Sequence, residues 1–226
     1  YRLTGINQVQ INEKIDLTFA RVLRSALRQD PDIILIGELR DTETAHVALQ
    51  AAESGHLVFS TLHTIDTAES IGRMIEFFPP EKQEVIRSIM AGVLKGVISQ
   101  RLLPKVDGGR VAAVEVMVMN ARIADLIREG RSDEITDAVA EGEFFQMQTF
   151  TQALIEHVLS GKVDRDTAAN AATNRHDFLV ALEQATKRKR HADASAAETA
   201  LRAAEEAQAA AATQQPEDGL RVVPAG

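Results

Sequence analysis

The sequence predicts an α/β fold built on a parallel sheet. Two short apolar runs and the helix-forming stretch between them carry that prediction. Ile33-Ile34-Leu35-Ile36 is bounded by Pro31 and Gly37 and is mostly β-branched, as expected of a strand buried on both faces. Leu57-Val58-Phe59-Ser60-Thr61-Leu62 is the second run. Between them, Asp41 to Ser54 reads as a helix: Asp41 or Thr42 can cap it, Ala48, Ala51 and Ala52 favour it, and Gly55 ends it. Strand, helix and strand at this spacing form a βαβ unit with a right-handed crossover. Charge appears abruptly where the first strand ends, at Glu38, Arg40 and Asp41, and His63 ends the second. Ligands of open α/β sheets sit outside the carboxyl ends of the strands. Glu38 and His63 are therefore expected together on one sheet edge, facing a ligand.

Around this unit the elements follow in order. Residues 1–12 alternate loosely through Val9 and Ile11, which suits a strand near the sheet edge. Leu17 to Gln29 reads as a helix capped by Asp16, with Phe19, Val22, Leu23, Ala26 and Leu27 on one face and Arg21, Arg24 and Arg28 largely elsewhere. Asp66 to Glu76 is a further helix, stopped by Phe77-Phe78-Pro79-Pro80. Glu81 to Leu103 reads as the longest amphipathic helix, because apolar pairs recur every four residues from Val85/Ile86 to Val97/Ile98. Asp107-Gly108-Gly109 is a turn, and Arg110 to Met119 a strand whose Glu115 is expected to face outward. Helical patterns then run over Ala121–Glu129, Ser132–Ala140, Thr149–Ser160, Asp164–Ala172 and from Arg175 to about Lys189. Lys187 to Arg190 is a basic run that reads as a charged helix end. From His191 the chain is Ala- and Glu-rich with few large apolar residues, the composition of a disordered or frayed tail.

The totals exclude several classes. The 226 residues include no Cys, so the chain forms no disulfide and no thiolate metal site, which fits a reducing cytoplasm. No apolar run is long enough to span a bilayer. A net charge of −8 argues against general nucleic-acid binding, although the six acids and two arginines beyond Arg190 supply half of it. His63 has only Thr61 and Thr64 beside it, which is not a metal-ligand set.

Asp30-Pro-Asp-Ile-Ile-Leu-Ile-Gly-Glu-Leu-Arg-Asp41 followed by Gly55-His-Leu-Val-Phe-Ser-Thr-Leu-His-Thr64 closely resembles the Walker B and His boxes of the type II/IV secretion and type IV pilus ATPases. The resemblance implies a RecA-like parallel-sheet ATPase core, here its C-terminal part over residues 1–119. A small helical subdomain over 120–190 and the tail over 191–226 would follow. It implies a homohexameric motor that binds ATP and Mg²⁺, works in the cytoplasm at the inner face of the membrane, and acts on an inner-membrane platform protein. No Gly-x-x-x-x-Gly-Lys-Ser/Thr phosphate loop occurs, and the chain begins at Tyr1. The loop is therefore expected upstream, the chain being the C-terminal part of a longer protein that alone would not hydrolyse ATP.

Two signals separate the branches. The four-Cys zinc module of the secretion and extension branches is missing. Arg122-Ile-Ala-Asp-Leu-Ile-Arg-Glu129 resembles the retraction branch's Ala-Ile-Arg-Asn-Leu-Ile-Arg-Glu, departing at Arg122, Ala124 and Asp125, and Met147-Gln148-Thr149 also resembles that branch. Asn7 to Ile15 looks more like the secretion branch. Retraction is the expected activity, with extension, secretion or a non-hydrolysing fragment as alternatives. Within this resemblance Glu38 is the catalytic carboxylate that orients water and holds Mg²⁺ through a water. The usual Walker B Asp falls at Gly37, and an ion pair with Arg40 is the alternative role for Glu38. His63 and Thr61 sense the nucleotide state, while Arg24, Arg28 and Arg40 contact phosphate or a neighbouring subunit. The 122–129 helix is expected to serve movement and not chemistry.

Overall fold

A computed structural model describes residues 2–213. Helix α1 spans Phe19–Ala26, strand β1 Ile33–Ile36, helix α2 Thr42–Glu53 and strand β2 Leu57–Ser60. β1 and β2 are parallel, pairing Ile33 with Leu57 through Ile36 with Ser60. The Leu39 amide donating to the Thr61 carbonyl at 3.1 Å carries the ladder past the strand ends. The predicted βαβ unit is therefore formed. Asp41 caps α2 by accepting from the Thr44 amide, and Gly55, at φ +101°, turns the chain out of it.

β1 is buried on one face and not on two. Ile34 and Ile36 pack with Leu23, Leu39, Val47, Ala48 and Ala51, whereas Leu35 is 75% exposed and Ile33 and Phe59 are also open. α1 and α2 cover the first face, and no described element covers the second. Residues 2–11 form no strand either. Asn12 alone makes a bridge, to Leu17, around a 3-10 turn at Glu13–Ile15, because alternation without a pairing partner leaves the ladder unmade. The cap of α1 is Thr18, and Asp16 instead pairs with Arg21 at 2.8 Å.

Helix α3 spans Thr67–Glu76 and α4 Pro80–Val93. Here the predicted long helix fails. Leu94 is already extended, and Gly96–Pro104 is strand β3, antiparallel to β4 at Arg110–Val118. A Cβ at Gly96 would lie 2.8 Å from the Met117 carbonyl oxygen, so glycine lets the two backbones close. Val97 and Ile98 continue a four-residue spacing by coincidence, since they also begin a β-branched, two-residue alternation. Gly108 and Gly109, both at positive φ, make the expected turn between the strands.

Glu115 on β4 does not face outward: it is 5% exposed. Its carboxylate accepts from the Thr67 amide at 2.9 Å and the Phe150 amide at 3.4 Å, which compensates its burial.

Helix α5 spans Ala121–Glu129, α6 Ile135–Ala140, α7 Phe150–Leu159, α8 Arg165–Ala171 and α9 Arg175–Thr213. Asn120 caps α5, and Gly130, at φ +72°, ends it. Ile123, Leu126, Ile127, Ile135 and Val139 from α5 and α6 join Ile71, Ile75, Ile86 and Met90 from α3 and α4, and Phe78 between those two helices, in one core. The expected boundary at 119/120 cuts through this core, and the chain instead divides between Thr173 and Asn174. The tail from His191, read as disordered or a frayed helix, is helical to Thr213, as its alanines favour. The expectation for 214–226 lies outside the described residues.

Candidate active site

The parallel register sets the residues after β1 beside those after β2. Thr61 fixes that relation by donating from Oγ1 to the Gly37 carbonyl at 2.7 Å. Beyond this tie the Glu38 carboxylate is held on both oxygens. Arg40 Nη2 lies 2.6 Å from Oε1 and His63 Nε2 3.0 Å from Oε2. The predicted meeting of Glu38 and His63 across 25 residues is thus observed. The Arg40 ion pair, read from the sequence as an alternative role for Glu38, is formed as well. An ionised carboxylate only accepts, so His63 donates through Nε2 in this contact. The Glu38 side chain is 20% exposed and that of His63 86%. The carboxylate is sheltered and the imidazole reaches into solvent.

The hydrogen bond from Arg40, then that from His63, holds the Glu38 carboxyl below the ordinary glutamate range. A lowered folded pKa makes a contribution to stability that is complete above the unfolded value, near 4.3, and is lost only as pH falls through the lower folded one. A carbon-13 NMR titration should place the Glu38 midpoint below that of an unfolded glutamate, and Arg40→Ala should raise it. A midpoint at or above the unfolded value contradicts the two-sided grip.

A cleft of ≈ 420 Å³ opens beside this cluster, lined by Leu39, Arg40, Leu62 and His63 from the strand ends and Glu69, Gly72, Arg73, Glu76 and Phe77 from α3 and its end. The sequence reading missed this wall. Its signal was present: positions 69, 72, 73 and 76 share one helix face directly after the His box. Arg24 and Arg28 are not brought to Glu38. Arg24 pairs with Glu43 at 2.8 Å, and Arg28 is exposed beyond the end of α1. Among the described residues no group of three or more His, Cys, Asp or Glu is placed to hold a metal ion.

The parallel βαβ unit, with Glu38 and His63 at its strand ends, lies in an α/β fold shared with a solved motor ATPase, consistent with a RecA-like ATPase core. More narrowly, the chain belongs to the type II/IV secretion system protein family, which matches residues 1–208. It is 44% identical over 173 residues to the type IV pilus retraction ATPase PilT of Pseudomonas aeruginosa, covering 76% of this chain and 50% of that protein. A twitching motility protein of Neisseria gonorrhoeae is 44% identical over 170 residues, 75% of this chain and 45% of that protein. The crystal structure of the pilus retraction motor PilT with bound ADP matches with a TM-score of 0.64 at 43% identity, covering 71% of this chain and 45% of that one. The chain thus spans about half the length of the relatives it matches. No described helix is long and apolar enough to cross a membrane.

Proposed function

We propose that this chain carries the water-orienting strand ends of an ATP-hydrolysing motor subunit that powers type IV pilus retraction as a homohexamer. The observation that carries the reading is Glu38, a carboxylate at a parallel strand end, gripped by Arg40 and His63, in a chain 44% identical to a pilus retraction ATPase. The lack of Cys, and with it of a zinc module, and the 122–129 and 147–149 sequences favour retraction over extension or secretion.

One sheltered carboxylate suits Mg²⁺, which keeps several waters and takes other oxygens from phosphates, and does not suit an all-protein metal cage. Glu38 is the residue that would hold it through a water, and the ion would supply neutralisation of phosphate charge. The chain's own residues do the rest. Glu38 accepts a hydrogen bond from the attacking water and aims it. Its lowered basicity favours holding that water over removing its proton. Arg40 keeps the carboxylate ionised and fixed. His63 can turn its Nε2–H from Glu38 toward a phosphate and so register whether one is present, and Thr61 passes that movement to the end of β1. Arg24 and Arg28 serve phosphate or neighbouring-subunit contacts, for which Arg24 must leave Glu43. The subunit works in the cytoplasm, at the membrane, against a platform protein.

His63→Ala in the full-length protein should lower ATP turnover but leave residual activity, and should uncouple hydrolysis from retraction. His63→Asn, which still donates a hydrogen bond, should do less harm. Steady-state ATPase rates and pilus retraction, measured for both, check this. Full coupling in the Ala variant, or equal damage in the two, removes the sensing role.

A further inference from the structure

The β3–β4 hairpin carries two ionisable groups that the reading above does not use. Arg101 and Glu115 lie on the same, core-facing side of the hairpin: Arg101 pairs in register with Ala113, and Glu115 with Ser99. Each reaches the same two regions. Arg101 Nη2 donates to the Ile65 carbonyl at 3.2 Å and the Thr173 hydroxyl at 3.2 Å. Its Nη1 donates to the Ala171 carbonyl at 2.7 Å, and the guanidinium lies 4.1 Å from the centre of the Phe150 ring. Glu115 accepts from the Thr67 amide on one oxygen and the Phe150 amide on the other. Ile65 and Thr67 are two and four residues after His63; Phe150, Ala171 and Thr173 belong to α7, α8 and the segment after them.

We propose that Arg101 and Glu115 are positioning residues that lock the loop following His63 to the C-terminal helical segment, so that movement of either is felt by the other. The inference rests on the nucleotide-sensing reading of His63 and extends it to a mechanical output. Five donors on a planar guanidinium let one side chain hold three acceptors from both regions. A carboxylate set against the first turns of α3 and α7 fixes both helix starts. Neither side chain reaches the nucleotide-site residues, so both act through the backbone of 65–67. A side chain that only packed the hairpin would not bond the His63 loop and the helical segment at once.

The test uses the full-length protein with Arg101→Ala, Arg101→Lys, His63→Ala, the double variant Arg101→Ala/His63→Ala, and Glu38→Gln. Amide hydrogen exchange without nucleotide should rise over 62–67 and over 171–173 in Arg101→Ala while β1 stays protected. Arg101→Lys keeps the charge and loses the fork, and should lie between. If Arg101→Ala does not fold, the Lys variant carries the test. Turnover should fall by up to about 10²-fold, the scale of a catalytic group misplaced from a distance, with the KM for ATP unchanged and no further fall in the His63→Ala background. Exchange confined to β3–β4, or turnover losses that multiply in the double variant, overturns the lock. Near-normal turnover in Glu38→Gln would instead remove the hydrolysis reading and leave the exchange result to judge the lock.

Discussion

Glu38→Gln in the full-length protein should keep ATP binding and lower turnover by about 10²-fold or more, the scale of losing an acid–base or water-orienting group. The argument is electrostatic. The wild-type side chain is an ionised acceptor on both oxygens, with Arg40 on one and His63 on the other. The amide keeps the shape and one acceptor oxygen but replaces the other with a donor. That NH₂ meets either the Arg40 guanidinium or His63 Nε2–H, donor against donor, and the cluster must rearrange. A neutral amide also no longer attracts Arg40. Water then lacks an anionic partner at the strand end, while groups elsewhere that hold the nucleotide are untouched. The measurement is a pair: ATP affinity by calorimetry and steady-state turnover on the same preparation. Turnover within a few-fold of wild type removes Glu38 from the catalytic role. Loss of binding together with turnover makes it a structural clamp for Arg40.

The site was legible because its signals are local. Pro31 and Gly37 bound β1, Asp41 caps the helix behind it, and β-branched runs mark both strands, so the strand ends and their side chains follow from spacing alone. The Glu38 ion pair with Arg40 is two residues away and was also legible. What the sequence hid was decided by distant partners. Glu115 reads as an ordinary outward strand acid until Thr67, 48 residues earlier, and Phe150, 35 residues later, offer their amides. Arg101 sits in a recognisable family stretch, but its acceptors lie 36 to 72 residues away. The false helix over 94–103 arose because a four-residue apolar spacing ran on into a strand that starts with two β-branched residues. Only Gly96, where a Cβ would lie 2.8 Å from the Met117 carbonyl oxygen, marks the change. The exposed face of β1 contradicts a reading that assumed a covered sheet, since apolar content reports what a strand can bury and not what covers it.

The double substitution Leu126→Ala and Ile127→Ala should destabilise the fold, against the sequence-based expectation that it would spare hydrolysis and impair only movement. Leu126 is 5% exposed and Ile127 0%, and both lie in the core that α5 shares with α3, α4 and α6. Truncating a buried Leu or Ile to Ala costs about 2–5 kcal/mol, from lost burial and the cavity left behind. Two adjacent cavities cost less than twice that only if the neighbours collapse into them. A loss of about 4–10 kcal/mol is comparable to the whole stability of a domain, about 5–15 kcal/mol. Three of the five positions at which α5 matches the retraction sequence, Ile123, Leu126 and Ile127, are therefore packing positions. A movement role for α5 has to rest on its exposed row, Arg122, Asp125, Arg128 and Glu129. Arg122 pairs there with Glu141, and Arg128 with Asp125 at 2.7 Å. Such surface pairs are worth about 0–1 kcal/mol, so Arg128→Ala should leave the unfolding midpoint near wild type and isolates any effect on retraction. Urea unfolding of Ile127→Ala, the double variant and Arg128→Ala separates the cases. A double variant that loses less than about 1 kcal/mol overturns the burial account, and a folded one that hydrolyses ATP without retracting restores the movement role to these two side chains.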